Sequence, residues 1–158
     1  MELKPDHKKL VEALLSGNWT QGVGRLMKIN SQERVARHCC LGVFCEVAGV
    51  ICQILPENAQ VPGGDLHGVF DGCSTDLPQS VKSRYGFRTR GGAFRDDKGG
   101  EWWINPNSLE AYISPTDSIA TFPSLISMND RGIPFRAIAA VIEKFPHLIF
   151  TGYEAPKE

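Results

Sequence analysis

Apolar residues recur at helical spacing in two stretches near the ends of the chain, and these frame everything between them. Leu10, Val11, Leu14 and Leu15 predict a helix from His7 to Ser16, with Gly17 placed to close it in a left-handed cap. Near the other end, Ile133-Pro134 opens a helix that carries Phe135, Ile138, Ala139, Ile142 and Phe145 on one face and stops at Pro146. A third helix, Cys39 to Ile51, is apolar almost all round through Leu41, Val43, Phe44, Val47, Ala48 and Val50, which marks a surrounded, central element. Glu46 is its one acidic residue, and Gly49 suits close packing near its end.

The segments between are shorter and mixed. Asn18 to Gly22 reads as a turn, Val23 to Ile29 as a strand covered on both sides, and Ser31 to Arg37 as a polar connection. Leu55 to Cys73 is rich in Gly and Pro, as a loop or short hairpin would be. Asp76-Leu77-Pro78 predicts a helix start with Asp76 as N-cap, running through Val81 and Tyr85 to Gly86. Gly91-Gly92 and Gly99-Gly100 suit turns between short antiparallel strands from Phe87 to Ile104, and Asn105 to Thr121 is irregular. Phe122 to Met128 is a short helix or turn, broken by Asn129-Asp130-Arg131-Gly132, and the tail from Glu154 is polar. The expected fold is therefore α+β: one domain over 1–158, with a central buried helix, flanking helices and a small antiparallel sheet.

Composition narrows the partners. The 158 residues hold 17 basic and 18 acidic side chains, so the net charge of −1 gives no global pull toward nucleic acid or anionic membrane. The start of the chain lacks a signal-peptide pattern and no run is long enough to span a bilayer, which together predict a cytoplasmic protein. Five cysteines (Cys39, Cys40, Cys45, Cys52 and Cys73) are an odd count, and four of them fall in one apolar segment, as core residues do.

Four groups of residues could carry chemistry. Cys39 or Cys40 at a helix start would feel the helix dipole, which favours a thiolate, and His67 could serve as base in a cysteine hydrolase, with His147 as a second choice. His38, Cys39, Cys40, Cys45, Cys52 and His67 lack the paired knuckles of a zinc site, so no metal and no cofactor is expected. From Lys82 to Trp103 the chain gathers Lys82, Arg84, Arg88, Arg90, Arg95 and Lys98, interleaved with Tyr85, Phe87, Phe94, Trp102 and Trp103. Guanidinium groups grip phosphate and flat rings stack on bases, so this stretch suits a nucleotide-like ligand. A twisted hairpin with its aromatic rings in the core would explain the same residues. Asn129 and Asp130 most simply cap a helix, and they share a possible ligand role with Trp19 and Gln21. The Ile133–Phe145 helix, with only Arg136 and Lys144, is too weakly basic for a duplex-DNA reader.

Ser16-Gly17-Asn18-Trp19-Thr20-Gln21, Cys39-Cys40-Leu41-Gly42-Val43, Leu77-Pro78-Gln79-Ser80-Val81 and Met128-Asn129-Asp130-Arg131-Gly132 follow one another in an order that resembles a set of small bacteriophage and prophage proteins. Those proteins carry a Ser-Gly-x-aromatic-x-Gln turn, Cys-Cys-Leu-Gly-Val, a Leu-Pro-x-x-Val helix and Leu-Asn-Asp-x-Gly-x-Ser-Phe-x-x-Ile-Ala. Met128 stands where Leu is usual and Pro134 where Ser is usual. The resemblance implies a phage-encoded accessory protein, acting in host takeover or evasion of bacterial immunity from the host cytoplasm. The expected activity is non-enzymatic: sequestration or inhibition of a host component, either a nucleotide-like small molecule or a host protein, by a monomer or homo-oligomer. A cysteine hydrolase built on Cys39 or Cys40 is the competing expectation.

Overall fold

The computed structural model describes residues 1–115 and 120–157. In chain order the elements are α1 (Pro5–Leu15), β1 (Thr20–Gln21), β2 (Met27–Ile29), β3 (Ala36–His38), α2 (Cys40–Val47), β4 (Cys52–Pro56) and β5 (Leu66–Phe70). Next come α3 (Gln79–Tyr85), β6 (Trp103–Asn105), β7 (Glu110–Tyr112), α4 (Leu125–Asp130), α5 (Phe135–Lys144) and α6 (Pro146–Ile149). The fold is α+β. A five-stranded sheet has the order β1-β3-β2-β5-β4, antiparallel except where β1 joins β3, and β6-β7 forms a separate two-stranded ribbon.

The expected central helix is α2, which packs on α1, α4 and the sheet, while α1 also packs on α5. Cys40 through Cys45 are all buried. Its approach to the sheet rests on Gly42. The Leu26 carbonyl accepts the Cys39 N–H at 3.2 Å and lies against Gly42, where a Cβ would overlap it. Gly49 does the other job: at φ 73° it turns the chain out of α2, with open space around it. The helix therefore ends at Val47 and leaves Ile51 88% exposed.

Several boundaries differ from expectation for local reasons. The strand expected over Val23–Ile29 pairs only from Met27, because Gly24 takes φ 79° and Leu26 turns its N–H to Ser74. It is covered on one side only: Met27 is buried, whereas Lys28 sits on the opposite face beside Arg37 and His67. The supposedly polar Ser31–Arg37 connection ends in β3. Asp76 does not cap α3; Pro78 occupies that position without a side-chain bond, and Asp76 lies 3.4 Å from Arg90 instead. Around Gly91-Gly92 and Gly99-Gly100 only isolated bridges form, such as Arg95 to Glu101, while β7 arises inside the stretch expected to be irregular. Part of that stretch, 116–119, lies outside the described residues. Asn129 and Asp130 belong to α4, whose cap is Ser124 in a reciprocal capping box with Ser127.

The two chain ends are joined by buried polar contacts. The Lys4 N–H donates to the Tyr153 hydroxyl at 2.7 Å, that hydroxyl lies 2.6 Å from His7 Nδ1, and His7 Nε2 lies 2.7 Å from the Tyr85 carbonyl. A carbonyl only accepts, so Nε2 carries the proton and Nδ1 accepts from Tyr153. Phe150 stacks on the ring at 3.9 Å. Burial first, offset in part by the Tyr85 bond, holds the His7 pKa below its ordinary 6.5. The unfolded chain therefore takes up a proton before the native state does. The stability His7 contributes is complete above pH 6.5 and is lost as pH falls below it through the lowered native value. Urea midpoints measured from about pH 7.5 to about pH 5 should fall more steeply for the wild type than for His7→Leu, and equal slopes would contradict this assignment.

Candidate ligand-binding site

Three of the motif segments converge at the start of α2. Asn129, fully buried in α4, is the hub: its Oδ1 accepts from the Cys40 N–H at 3.0 Å and from Gln21 Nε2 at 3.1 Å. Its Nδ2 donates to the Gly22 carbonyl at 2.7 Å. Gln21 Nε2 also donates to the Ile133 carbonyl at 2.7 Å, and Asp130 accepts from the Gly24 N–H at 3.0 Å. Beside this hub, His38 is buried with Nε2 3.1 Å from Glu46 and the Trp19 ring edge-on to it. Gln21, Asn129 and Asp130 thus spend their amides and carboxylate on neighbouring backbone and on each other. Their role is to hold β1, α2 and α4 together.

The thiols are sealed rather than activated. Cys39 caps α2, its Sγ accepting the Gly42 N–H at 3.4 Å, and it is 1% exposed. Cys40 faces α4, with Sγ 3.8 Å from the Leu125 carbonyl. Burial outweighs the helix N-terminus and pushes Cys39 up to about 11, with Cys40 and Cys45 also raised, first by burial. The thiolate expected from the helix dipole is corrected on this ground. His67 stands on β5, opposite Lys28 and 3.7 Å from Glu57, and among the described residues no hydrogen bond joins it to either thiol. No group of three or more His, Cys, Asp or Glu is arranged to hold a metal ion among the described residues.

In the arginine-rich middle most cations have internal tasks. Arg90 donates to the Leu77 carbonyl at 2.7 Å and lies beside Cys73 and Asp76. Arg88 donates to the His147 carbonyl at 3.0 Å and pairs with Asp97, and Arg95 pairs with Glu101 at 2.6 Å. Tyr85, Phe87 and Phe94 are core residues, and Trp102 packs on the core while donating to Asp96 at 3.1 Å. Trp103 lies half-buried in β6 opposite Tyr112. The stretch is mostly framework, with its aromatic rings turned inward.

Two depressions remain at its edge. One, of about 360 Å³, lies between the start of α1 and the end of α3 and is lined by residues including Lys4, Asp6, Ser83, Arg84, Tyr85 and Thr151. The other, of about 290 Å³, is lined by Arg88, Arg95, Asp96, Asp97, Gly99 and Thr151. Thr151 contributes to both walls. Among the described residues Lys4 and Arg84 form no ion pair, unlike Arg88, Arg90 and Arg95. Arg84 and Tyr85 were legible as candidates in sequence; Lys4 was not, because only the folded chain brings the N-terminus to α3. The structure leaves Trp19, Gln21, Asn129 and Asp130 in a separate cluster at the hub.

No helix among the described residues is long and apolar enough to cross a membrane. No curated protein and no solved structure matches the chain. The family model described as a domain of unknown function, DUF8296, matches residues 3–145, and the chain belongs to that family.

Proposed function

We propose that this chain is a non-enzymatic binding protein, a phage-type accessory factor that sequesters a small anionic, nucleotide-like host molecule on these two depressions. The observation that carries this reading is the Arg84 guanidinium in the wall of one cleft that Lys4 also lines, neither residue in an ion pair among the described residues, since a guanidinium offers phosphate strong, charge-assisted donors. The sealed thiols weigh against the hydrolase alternative, since a nucleophile has to reach its substrate as a thiolate. The motif resemblance supplies the phage context and the counter-defence role.

Calorimetric titration with adenosine and guanosine nucleotides at low salt should give saturable binding that Arg84→Glu abolishes. Iodoacetamide should label Cys39, Cys40 and Cys45 only after denaturant is added. Absence of binding by every nucleotide would overturn the ligand, and rapid native labelling of Cys39 or Cys40 would restore the hydrolase. A second reading, direct contact with a host protein, draws on the exposed apolar side chains Ile51, Ile54 and Leu55 on and beside the edge strand β4. Under that reading Ile54→Lys would abolish capture of a single host protein while leaving nucleotide binding intact.

A further inference from the structure

We infer that Tyr153 and His7 form a pH-gated latch, which holds the segment from Gly152 onward against the start of α1 at neutral pH and releases it in acid. The latch stands whether or not the depressions described above take an anion.

The segment has one polar tether. Thr151 is fixed to Gly86, its N–H donating to the Gly86 carbonyl at 2.8 Å and its hydroxyl to the same oxygen at 3.3 Å. Beyond Thr151, every hydrogen bond of the described residues runs through the Tyr153 hydroxyl, to the Lys4 N–H and to His7 Nδ1. The Tyr153 ring is buried, with its centroid 6.2 Å from that of Phe150, and the Lys4 ammonium lies 5.0 Å over its face. Among the described residues no helix or strand follows α6, so the segment can leave without dismantling another element.

The switch lies in how hydrogens are shared at the Tyr153 oxygen. With neutral His7, the hydroxyl accepts from the Lys4 N–H and gives its own proton to Nδ1, while Nε2 donates to the Tyr85 carbonyl. Protonation puts a hydrogen on Nδ1, and both neighbours of the oxygen are then donors. The hydroxyl proton loses its acceptor beside a buried positive charge, and both effects disfavour the docked state.

The charged and titratable groups around His7 are Lys4 and Asp6 at the start of α1, Arg84 and Tyr85 on α3, and Tyr153 itself. Burial first, with Lys4 adding to it, outweighs the Tyr85 bond and Asp6 and holds the docked imidazole below its ordinary 6.5. Asp6 forms no ion pair with His7 among the described residues; its carboxylate stands 3.7 Å from Lys9 Nζ. Release of Tyr153 lets water reach Nδ1, so the released state takes the proton more readily. Below 6.5 the release equilibrium rises by up to about 10-fold per pH unit, until the docked His7 itself titrates. Undocking parts Tyr153 from Phe150 and frees the Lys4 ammonium, so acid uncovers an aromatic face and a cation together.

The test is a pH series of backbone heteronuclear NOE spectra, which report fast local motion. Gly152, Tyr153 and Glu154 should match α5 at about pH 8 and become mobile by about pH 5, with α1 and α5 unchanged. The His7→Gln amide can donate to Tyr85 and accept from Tyr153 without titrating, so this variant should keep the segment ordered throughout. Tyr153→Phe should leave it mobile at every pH, with circular dichroism confirming that each variant is folded; should His7→Gln not fold, Tyr153→Phe decides. A wild-type segment that stays ordered in acid, or is already mobile at the start, overturns the latch. So does a transition that persists in folded His7→Gln or in Tyr153→Phe, because another group then controls it. Simultaneous loss of α1, α5 and the segment is global acid unfolding and overturns it as well.

Discussion

Gly42→Ala should destabilise the protein by about 3 kcal/mol or more, because the added methyl has nowhere to go. Its position coincides with the Leu26 carbonyl oxygen, an atom already fixed by the Cys39 N–H. Backbone cannot rotate aside as a flexible side chain would. The alternatives are to lift α2 off β2, which opens voids around Leu26 and Val43, both fully buried, or to break the bond that seats the helix. For a domain of this size the expected loss corresponds to a melting-temperature drop of about 6–12 °C. The Cys-Cys-Leu-Gly segment then has a mechanical meaning: two small thiols and a glycine let a helix end sit directly on the Leu26 backbone, just before β2. An unchanged melting temperature would show that α2 has slack that this packing denies.

Asn129→Leu should cost a similar amount by another route. Leucine is close in size and leaves no large cavity, but it strands the buried Cys40 N–H and the Gly22 carbonyl and takes one of the two acceptors from Gln21 Nε2. Each unsatisfied buried polar group costs about 1–3 kcal/mol, so the sum is about 3 kcal/mol or more. Gln21→Leu alone should cost less, because Asn129 keeps its bonds to the Cys40 N–H and the Gly22 carbonyl and the Ile133 carbonyl alone loses its donor. In urea denaturation the double variant should fall short of additivity by at least about 0.5 kcal/mol, because both changes remove the same bond. Strict additivity would mean that Gln21 and Asn129 act separately and that no hub exists.

The long-period helices were legible because α1 and α5 repeat their apolar residues at helical spacing over 11 and 10 residues. The strands were not. β1, β2 and β3 are two or three residues long, too short for alternation to register, and what selects them is pairing with chain elsewhere. Glycine roles were half legible: a turn at Gly17 follows from its place after an apolar run, but the need for Gly42 depends on Leu26, sixteen positions earlier in the bend before β2. Asn129 has the local look of a capping residue, and its partners lie 89 to 108 residues away. The cations of the middle stretch were all visible in sequence. Which of them the carboxylates at Asp76, Asp97 and Glu101 would occupy was not, and neither was the arrival of Lys4 beside Arg84.

The central claim is that the motif residues build the frame while binding occurs at the far edge of the arginine-rich stretch. An amide chemical-shift map recorded during titration with adenosine 5′-diphosphate tests it most directly. The account predicts perturbations at Lys4, Ser83 to Gly86, Thr151 and Arg95 to Gly99, with Gln21, Cys39, Cys40 and Asn129 unmoved. Perturbations centred on Gln21, Cys40 and Asn129 would contradict it and make the hub itself the binding site.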